Sequence, residues 1–78
     1  MSVRAYILIQ TEVGKAGDVA RQILELEGIT AADDVTGPYD VIAQAEAPGM
    51  DELARMVLSR IQTIAGITRT LTCPVVHL

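Results

Sequence analysis

Apolar positions recur along this chain with two periods, and the switches between them mark out its elements. Val3 to Thr11 alternates, with Val3, Ala5, Ile7 and Ile9 on one face and Arg4, Tyr6, Leu8 and Gln10 on the other, the pattern of a strand. Because the second face carries Tyr6 and Leu8 beside its polar residues, the pattern predicts a sheet covered on both sides, by helices on one and by another subunit on the other. From about Ala16 to Leu26 the period becomes 3.6: Ala16, Val19, Ala20, Ile23 and Leu26 form a stripe, while Asp18, Arg21, Gln22 and Glu25 stay outside, as in an amphipathic helix. Gly28 supplies a left-handed stop. Ile29 to Val35 then reads as a weak strand, diluted by Ala31, Ala32 and the Asp33-Asp34 pair. In a third strand Val41, Ala43, Ala45 and Ala47 alternate with Ile42, Gln44 and Glu46; its small residues let a helix approach closely, and Pro48-Gly49 ends it. Met50 to Ile64 returns to helical spacing, with Met50, Leu53, Ala54, Val57, Leu58, Ile61 and Ile64 on one side and Asp51 and Glu52 in the first turn, where the helix dipole favours anions. Gly66 stops that helix. Ile67 to Leu78 is the last strand, with the hydroxyls of Thr68, Thr70 and Thr72 expected on one face.

The order is βαββαβ, and Gly28-Ile29-Thr30 returns as Gly66-Ile67-Thr68 at the same point of the second half. Two such units predict an α+β, ferredoxin-like fold: a four-stranded antiparallel sheet with two helices on one face and the other face bare. With no linker or low-complexity tract, residues 1–78 are expected to form a single domain. A chain this short hides only about 60% of its unfolded surface. Half of its residues are nonetheless hydrophobic, with two Tyr and no Phe or Trp, so the core must be aliphatic and the surplus apolar surface favours a homo-oligomer.

A formal net charge of −4 with no Lys/Arg cluster argues against nucleic acid as a direct partner, since backbone binding needs a concentrated positive surface. The apolar run Ala5 to Ile9 is too short for a signal peptide and no stretch reaches membrane-spanning length, so a cytoplasmic protein with no membrane partner is expected. Cys73, the lone cysteine, excludes an intrachain disulfide and reads as a small buried hydrophobe. His77 reads as part of a frayed strand end, without a partner at any catalytic spacing. Val13-Gly14-Lys15-Ala16-Gly17 lacks the order of a phosphate-binding loop, and zinc-ligand spacing is missing, so no catalytic, cofactor or metal site is expected. Arg4, Arg55, Arg60 and Arg69 are scattered and suit surface or intersubunit pairs of little individual worth.

The densest cue for binding is Gly37-Pro38-Tyr39-Asp40, with Met50 ten residues past the Asp at a helix start. Gly and Pro fix an abrupt change of direction, so the next residues leave in a defined orientation, and a short carboxylate there can meet a ligand amine. Tyr39 offers a wall with an apolar ring and a polar tip. Plainer readings stand beside these: Asp40 as a turn residue, Tyr39 as a cover for the core edge, Met50 as core. Thr70 and Thr72 serve either as β-branched strand residues or as hydroxyls that donate to and accept from a ligand.

Gly37-x-Tyr39-Asp40, Met50 at its interval, Gly66-Ile67 and Thr70-x-Thr72 together resemble the effector-binding (RAM) domain of the Lrp/AsnC regulators, over the whole chain. Members of that family carry an N-terminal helix-turn-helix domain, whereas this chain starts at the first strand of the effector domain, so the resemblance implies a stand-alone amino-acid-sensing and assembly module. It further implies sheet-to-sheet dimers, rings of octamer type, and a small amino acid bound in the crevice between dimers by Gly37, Tyr39, Asp40, Met50, Thr70 and Thr72. Asp40 would meet the α-amino group, and co-assembly with full-length Lrp/AsnC regulators would carry the signal. Cys73 and Pro74 depart from the larger or β-branched residues that relatives often have there. Two alternatives stand beside this one. A small dimeric α+β-barrel enzyme, of monooxygenase or isomerase type, would use a cavity on the bare face, where Arg4, Tyr6 and Gln44 offer a poor acid-base inventory. A ligand-free oligomerisation module would need no site at all.

Overall fold

Aliphatic stripes from two helical runs close over the alanine-rich face of a four-stranded sheet. The computed structural model describes residues 2–76. Its elements are β1 (Val3–Thr11), α1 (Ala16–Leu24), β2 (Ile29–Asp34), β3 (Val41–Ala47), α2 (Met50–Leu53), a π-helical turn (Ala54–Leu58), α3 (Ser59–Ile61) and β4 (Ile67–Pro74). The sheet runs β2-β3-β1-β4 with every neighbouring pair antiparallel, which is the ferredoxin-like arrangement. Ala5, Ile7 and Ile9 from β1 and Val41, Ala43, Ala45 and Ala47 from β3 are buried beneath Val19, Ala20 and Ile23 of α1 and Leu53, Val57 and Ile61 of the second helical run. Short side chains on β3 leave room for the helices to settle close to the sheet, so the bulk of the core comes from the isoleucines of β1 and the helices.

The second helical run departs from the uniform helix expected over Met50 to Ile64. Ser59 donates its N–H to Ala54 O, five residues back, and its hydroxyl to Arg55 O at 2.6 Å. This wider turn keeps Leu53, Val57 and Ile61, each four residues apart, in line over the sheet. Met56 is drawn against the core, whereas Ala54 and Met50 are exposed. The first helix stops at Leu24 rather than Leu26, β2 at Asp34 rather than Val35, and β4 at Pro74, with Val75 and Val76 outside the strand expected to reach Leu78; His77 and Leu78 lie outside the described residues.

The repeated Gly-Ile-Thr step is a structural repeat as well. Gly28 (φ +94°) and Gly66 (φ +98°) both hold the left-handed conformation. Each carbonyl accepts a backbone amide at 2.8 Å: Gly28 O from Glu46 in β3, Gly66 O from Glu12 just past β1. Two residues on, Thr30 has no register partner between Ile29↔Ala45 and Ala31↔Gln44, and Thr68 none between Gln10↔Arg69 and Thr11↔Ile67. Both edge strands therefore open with one extra residue, a β-bulge. The second bulge changes the parity of β4, so that Ile67 packs on the core side with Thr70 and Thr72 while Thr68 is exposed. The three threonines are thus not one ladder.

The open face of the sheet has a readable order. Ile42, Leu8 and Leu71 form one row across β3, β1 and β4; Gln44, Tyr6 and Cys73 form the next; Glu46 stands opposite Arg4, and Gln10 opposite Arg69. Cys73 is exposed, not buried, because it shares this face with Leu71 and Tyr6, on the side away from the helices.

A Cβ on Gly28 would lie 3.0 Å from Val57 Cγ2 and 3.2 Å from the Glu46 carbonyl oxygen, in a backbone conformation that L side chains rarely adopt. Gly28→Ala is expected to cost about 1–3 kcal/mol, or roughly 5–20 °C in Tm by thermal unfolding; an unchanged Tm would show that the turn relaxes freely.

Candidate functional site

The turn between β2 and β3 is bound to the end of β1. Asp40 N–H donates to Ile9 O (2.9 Å), Val35 N–H closes the turn on Asp40 O (2.9 Å), and Gln10 Nε2 donates to Pro38 O (3.1 Å). Thr11 N–H donates to Asp40 Oδ2 at 2.8 Å. Its register partner on the other side is Ile67, and the β1–β3 register ends two residues earlier, at Ile9↔Val41. The carboxylate one residue before β3 therefore stands in for a strand carbonyl, and a charged acceptor makes that bond a strong one. Asp40 thus has a structural task that its sequence position did not reveal. Oδ1 has no hydrogen-bond partner among the described residues, so one oxygen is held and the other is available.

Tyr39 and Asp40 are half-buried, and Gly37 and Pro38 are exposed. Gly37 has φ +146°, and a Cβ there would meet nothing within 4 Å, so backbone conformation rather than crowding selects glycine. Ile9 pairs with Val41 on one side and Thr70 on the other, which sets Asp40 and Thr70 on either side of the same end of β1. Thr72, opposite Ile7, sits one step further along, and both threonines are half-buried. Met50 follows the opposite end of β3, whose seven residues span roughly 20 Å, and it is 48% exposed. One chain therefore brings Gly37, Tyr39, Asp40 and Thr70 to a single end of the sheet, with Thr72 beside them, and leaves Met50 at the other.

The bare-face cavity weighed for the enzyme alternative has a counterpart in a groove of ≈ 240 Å³ on the open sheet face, near the start of β1, although Thr30, Glu46 and Val75 were not foreseen in it. Arg4, Tyr6, Thr30, Gln44, Glu46 and Val75 line it. The bulge that lifts Thr30 out of register builds one rim, and no local sequence signal announces a bulge at that threonine. Although Arg4 and Glu46 face each other in register, the ion pair formed among the described residues is Arg21–Asp18, within α1. No group of three or more His, Cys, Asp or Glu side chains converges among the described residues. No described helix is long and apolar enough to cross a membrane.

Comparison with known proteins fits this geometry. The Lrp/AsnC ligand binding domain family matches residues 4–77, and the chain belongs to that family. Its relatives include the HTH-type transcriptional regulator FL11 of Pyrococcus abyssi, 32% identical over 71 residues, an alignment that covers 91% of this chain and 46% of FL11. The chain spans about half the length of the curated relatives it matches. Among solved structures, TTHA0845 from Thermus thermophilus superposes with a TM-score of 0.89 at 28% identity, covering 97% of this chain and 95% of that one. E. coli AsnC superposes with a TM-score of 0.86 at 25% identity, covering 97% of this chain and 52% of AsnC. The family is one of ligand-binding domains of transcription regulators and not of enzymes.

Removing the carboxylate leaves the Thr11 amide without its acceptor. Asp40→Ala is expected to lose about 1–2 kcal/mol of stability, whereas Asp40→Asn, which keeps an oxygen at that place, loses less. Urea unfolding of the two variants checks this, and equal losses would remove the structural task assigned to Oδ2.

Proposed function

We propose that this domain senses a small amino acid at the Tyr39–Asp40 turn, in a crevice between assembled dimers, and converts effector level into oligomeric state. The observation that carries the reading is the half-engaged carboxylate: Thr11 N–H fixes Asp40 through Oδ2 and leaves Oδ1 without a partner among the described residues. An oriented acceptor of this kind suits an α-ammonium group, with Thr70 and Thr72 as polar contacts and the Tyr39 ring as the wall. Met50 lies too far along β3 to join this group from the same chain, so its membership requires a second copy. That requirement agrees with a site built at a subunit boundary.

The row Ile42-Leu8-Leu71, with Tyr6 next to it, supports dimerisation through the open sheet face, since these apolar side chains lie together on the side without helices. Dimers then associate into a ring of octamer type. A ligand that touches two dimers binds the ring better than the separate dimers, and mass action shifts the assembly towards the ring. Because the curated relatives carry this domain in about half of their length, co-assembly with a full-length Lrp/AsnC regulator offers a route from effector to transcription.

The test is a thermal-shift and light-scattering screen of the twenty common amino acids. A ligand at one hundred times its Kd is expected to add about 2.7 kcal/mol, or roughly 10–20 °C in Tm, and to raise the mean particle mass. Asp40→Asn, which keeps the oxygen facing Thr11 but loses the charge, should bind that amino acid about 10- to 100-fold more weakly. A screen without any shift sinks the sensing reading; a ring that forms regardless of metabolites identifies a ligand-free assembly module instead.

A further inference from the structure

We infer that Gln10 is a positioning residue for the Tyr39–Asp40 turn and ties that turn to the open face of the sheet. Gln10 belongs to the β1 row that also carries Arg4, Tyr6 and Leu8, opposite Arg69, so its backbone is part of the sheet face itself. Its side chain crosses to the neighbouring turn, where Nε2 donates to Pro38 O at 3.1 Å. The next residue, Thr11, donates its backbone N–H to Asp40 Oδ2, and Ile9 O, just before it, accepts the Asp40 amide. Three consecutive residues of one strand thus grip three points of the turn.

The turn needs such a grip. Gly37, at its exposed tip, has a backbone conformation that no side-chain packing enforces, because nothing lies within 4 Å of its Cβ position. The grip on Asp40 by Ile9 and Thr11 fixes the end of the turn that enters β3. Only Gln10 holds the Pro38 carbonyl among the described hydrogen bonds, and Pro38 is the residue from which Tyr39 departs. Losing that bond frees the Tyr39 wall to swing about an otherwise anchored Asp40. An ordering cost that the free turn has already met is a cost the ligand need not meet on binding, which is the physical content of preorganisation. Since the donor sits on the sheet face, whatever covers that face presses on the same side chain that holds the ligand turn.

This role in ligand binding rests on the proposed amino-acid site, but the mechanical part does not, and the experiment separates them. Amide hydrogen exchange is measured on the parent protein, on Gln10→Ala and on Gln10→Met, which keeps length and bulk but cannot donate. In both variants the amides of Val35, Asp40 and Thr11 are expected to exchange about three- to tenfold faster, the effect of one hydrogen bond, while Glu46 N–H, bonded to Gly28 O at the other end of the sheet, keeps its rate. Unchanged rates at all four amides overturn the inference, as does acceleration in Gln10→Ala with parent rates in Gln10→Met, which would make the contact one of packing. Equal acceleration at all four amides, Glu46 included, also overturns it, because that is global destabilisation. The same proteins are then titrated with each of the twenty amino acids. Affinity reduced about three- to tenfold in both variants, measured at a temperature where the free proteins are fully folded, supports the positioning role; affinity equal to that of the parent overturns it. If no amino acid binds even the parent, the proposed site fails and the exchange result alone decides whether the clamp exists.

Discussion

Packing of Ile7 and Ile9 against the helices is the interaction from which the rest of the molecule takes its geometry. Both lie on β1, which pairs with β3 on one side and β4 on the other, and both are fully buried. Burying an isoleucine is worth about 1.5–3 kcal/mol, a large share of the margin available to so small a chain. A one-residue slip of β1 would exchange Ile7 and Ile9 for Tyr6, Leu8 and Gln10, so burial also fixes register. Register in turn decides that Gln10 and Thr11 arrive opposite the β2–β3 turn. The candidate site is therefore held in place by the core, through the end of one strand.

The two faces of β1 accordingly do different work. One contributes Ala5, Ile7 and Ile9 to a core that the chain completes by itself, with no buried polar or charged side chain among the described residues. The other leaves Tyr6 and Leu8 in the company of Ile42 and Leu71 without a helix above them. Between these faces, at the end of the strand, sits the half-engaged Asp40. A single strand thus borders the core, the open apolar face and the candidate site.

Period alone disclosed most of this fold. Alternation gave β1 its observed limits and β3 its buried alanines, and the helical stripe of Val19, Ala20 and Ile23 came directly from 3.6 spacing. The features that escaped were those in which a residue count departs from a period. A π-helical turn at Ala54–Leu58 adds one residue to a helical circuit, and the bulges at Thr30 and Thr68 add one residue to a strand; an added residue leaves composition untouched and shows only as a small phase error. Cys73 was misjudged for a related reason: its small apolar side chain suits a core, but β4's phase put it on the face that the helices do not cover. Of the site, the turn and its Asp were legible because Gly and Pro constrain the backbone locally. The Thr11 and Gln10 bonds were not, since they join residues 28 and 29 positions apart.

The paired bulges bear on whether this sheet can be extended sideways. β2 and β4 are the outer strands, and each starts with an irregular step; β2 also closes on Asp33-Asp34 and β4 on Pro74, a residue with no amide to donate. Bulges, charges and proline are the devices that spoil a sheet border as a template for another strand. Sideways growth, which has no natural end, is thereby discouraged at both margins. The broad open face carries none of these devices: Ile42, Leu8 and Leu71 stand there in one row across β3, β1 and β4.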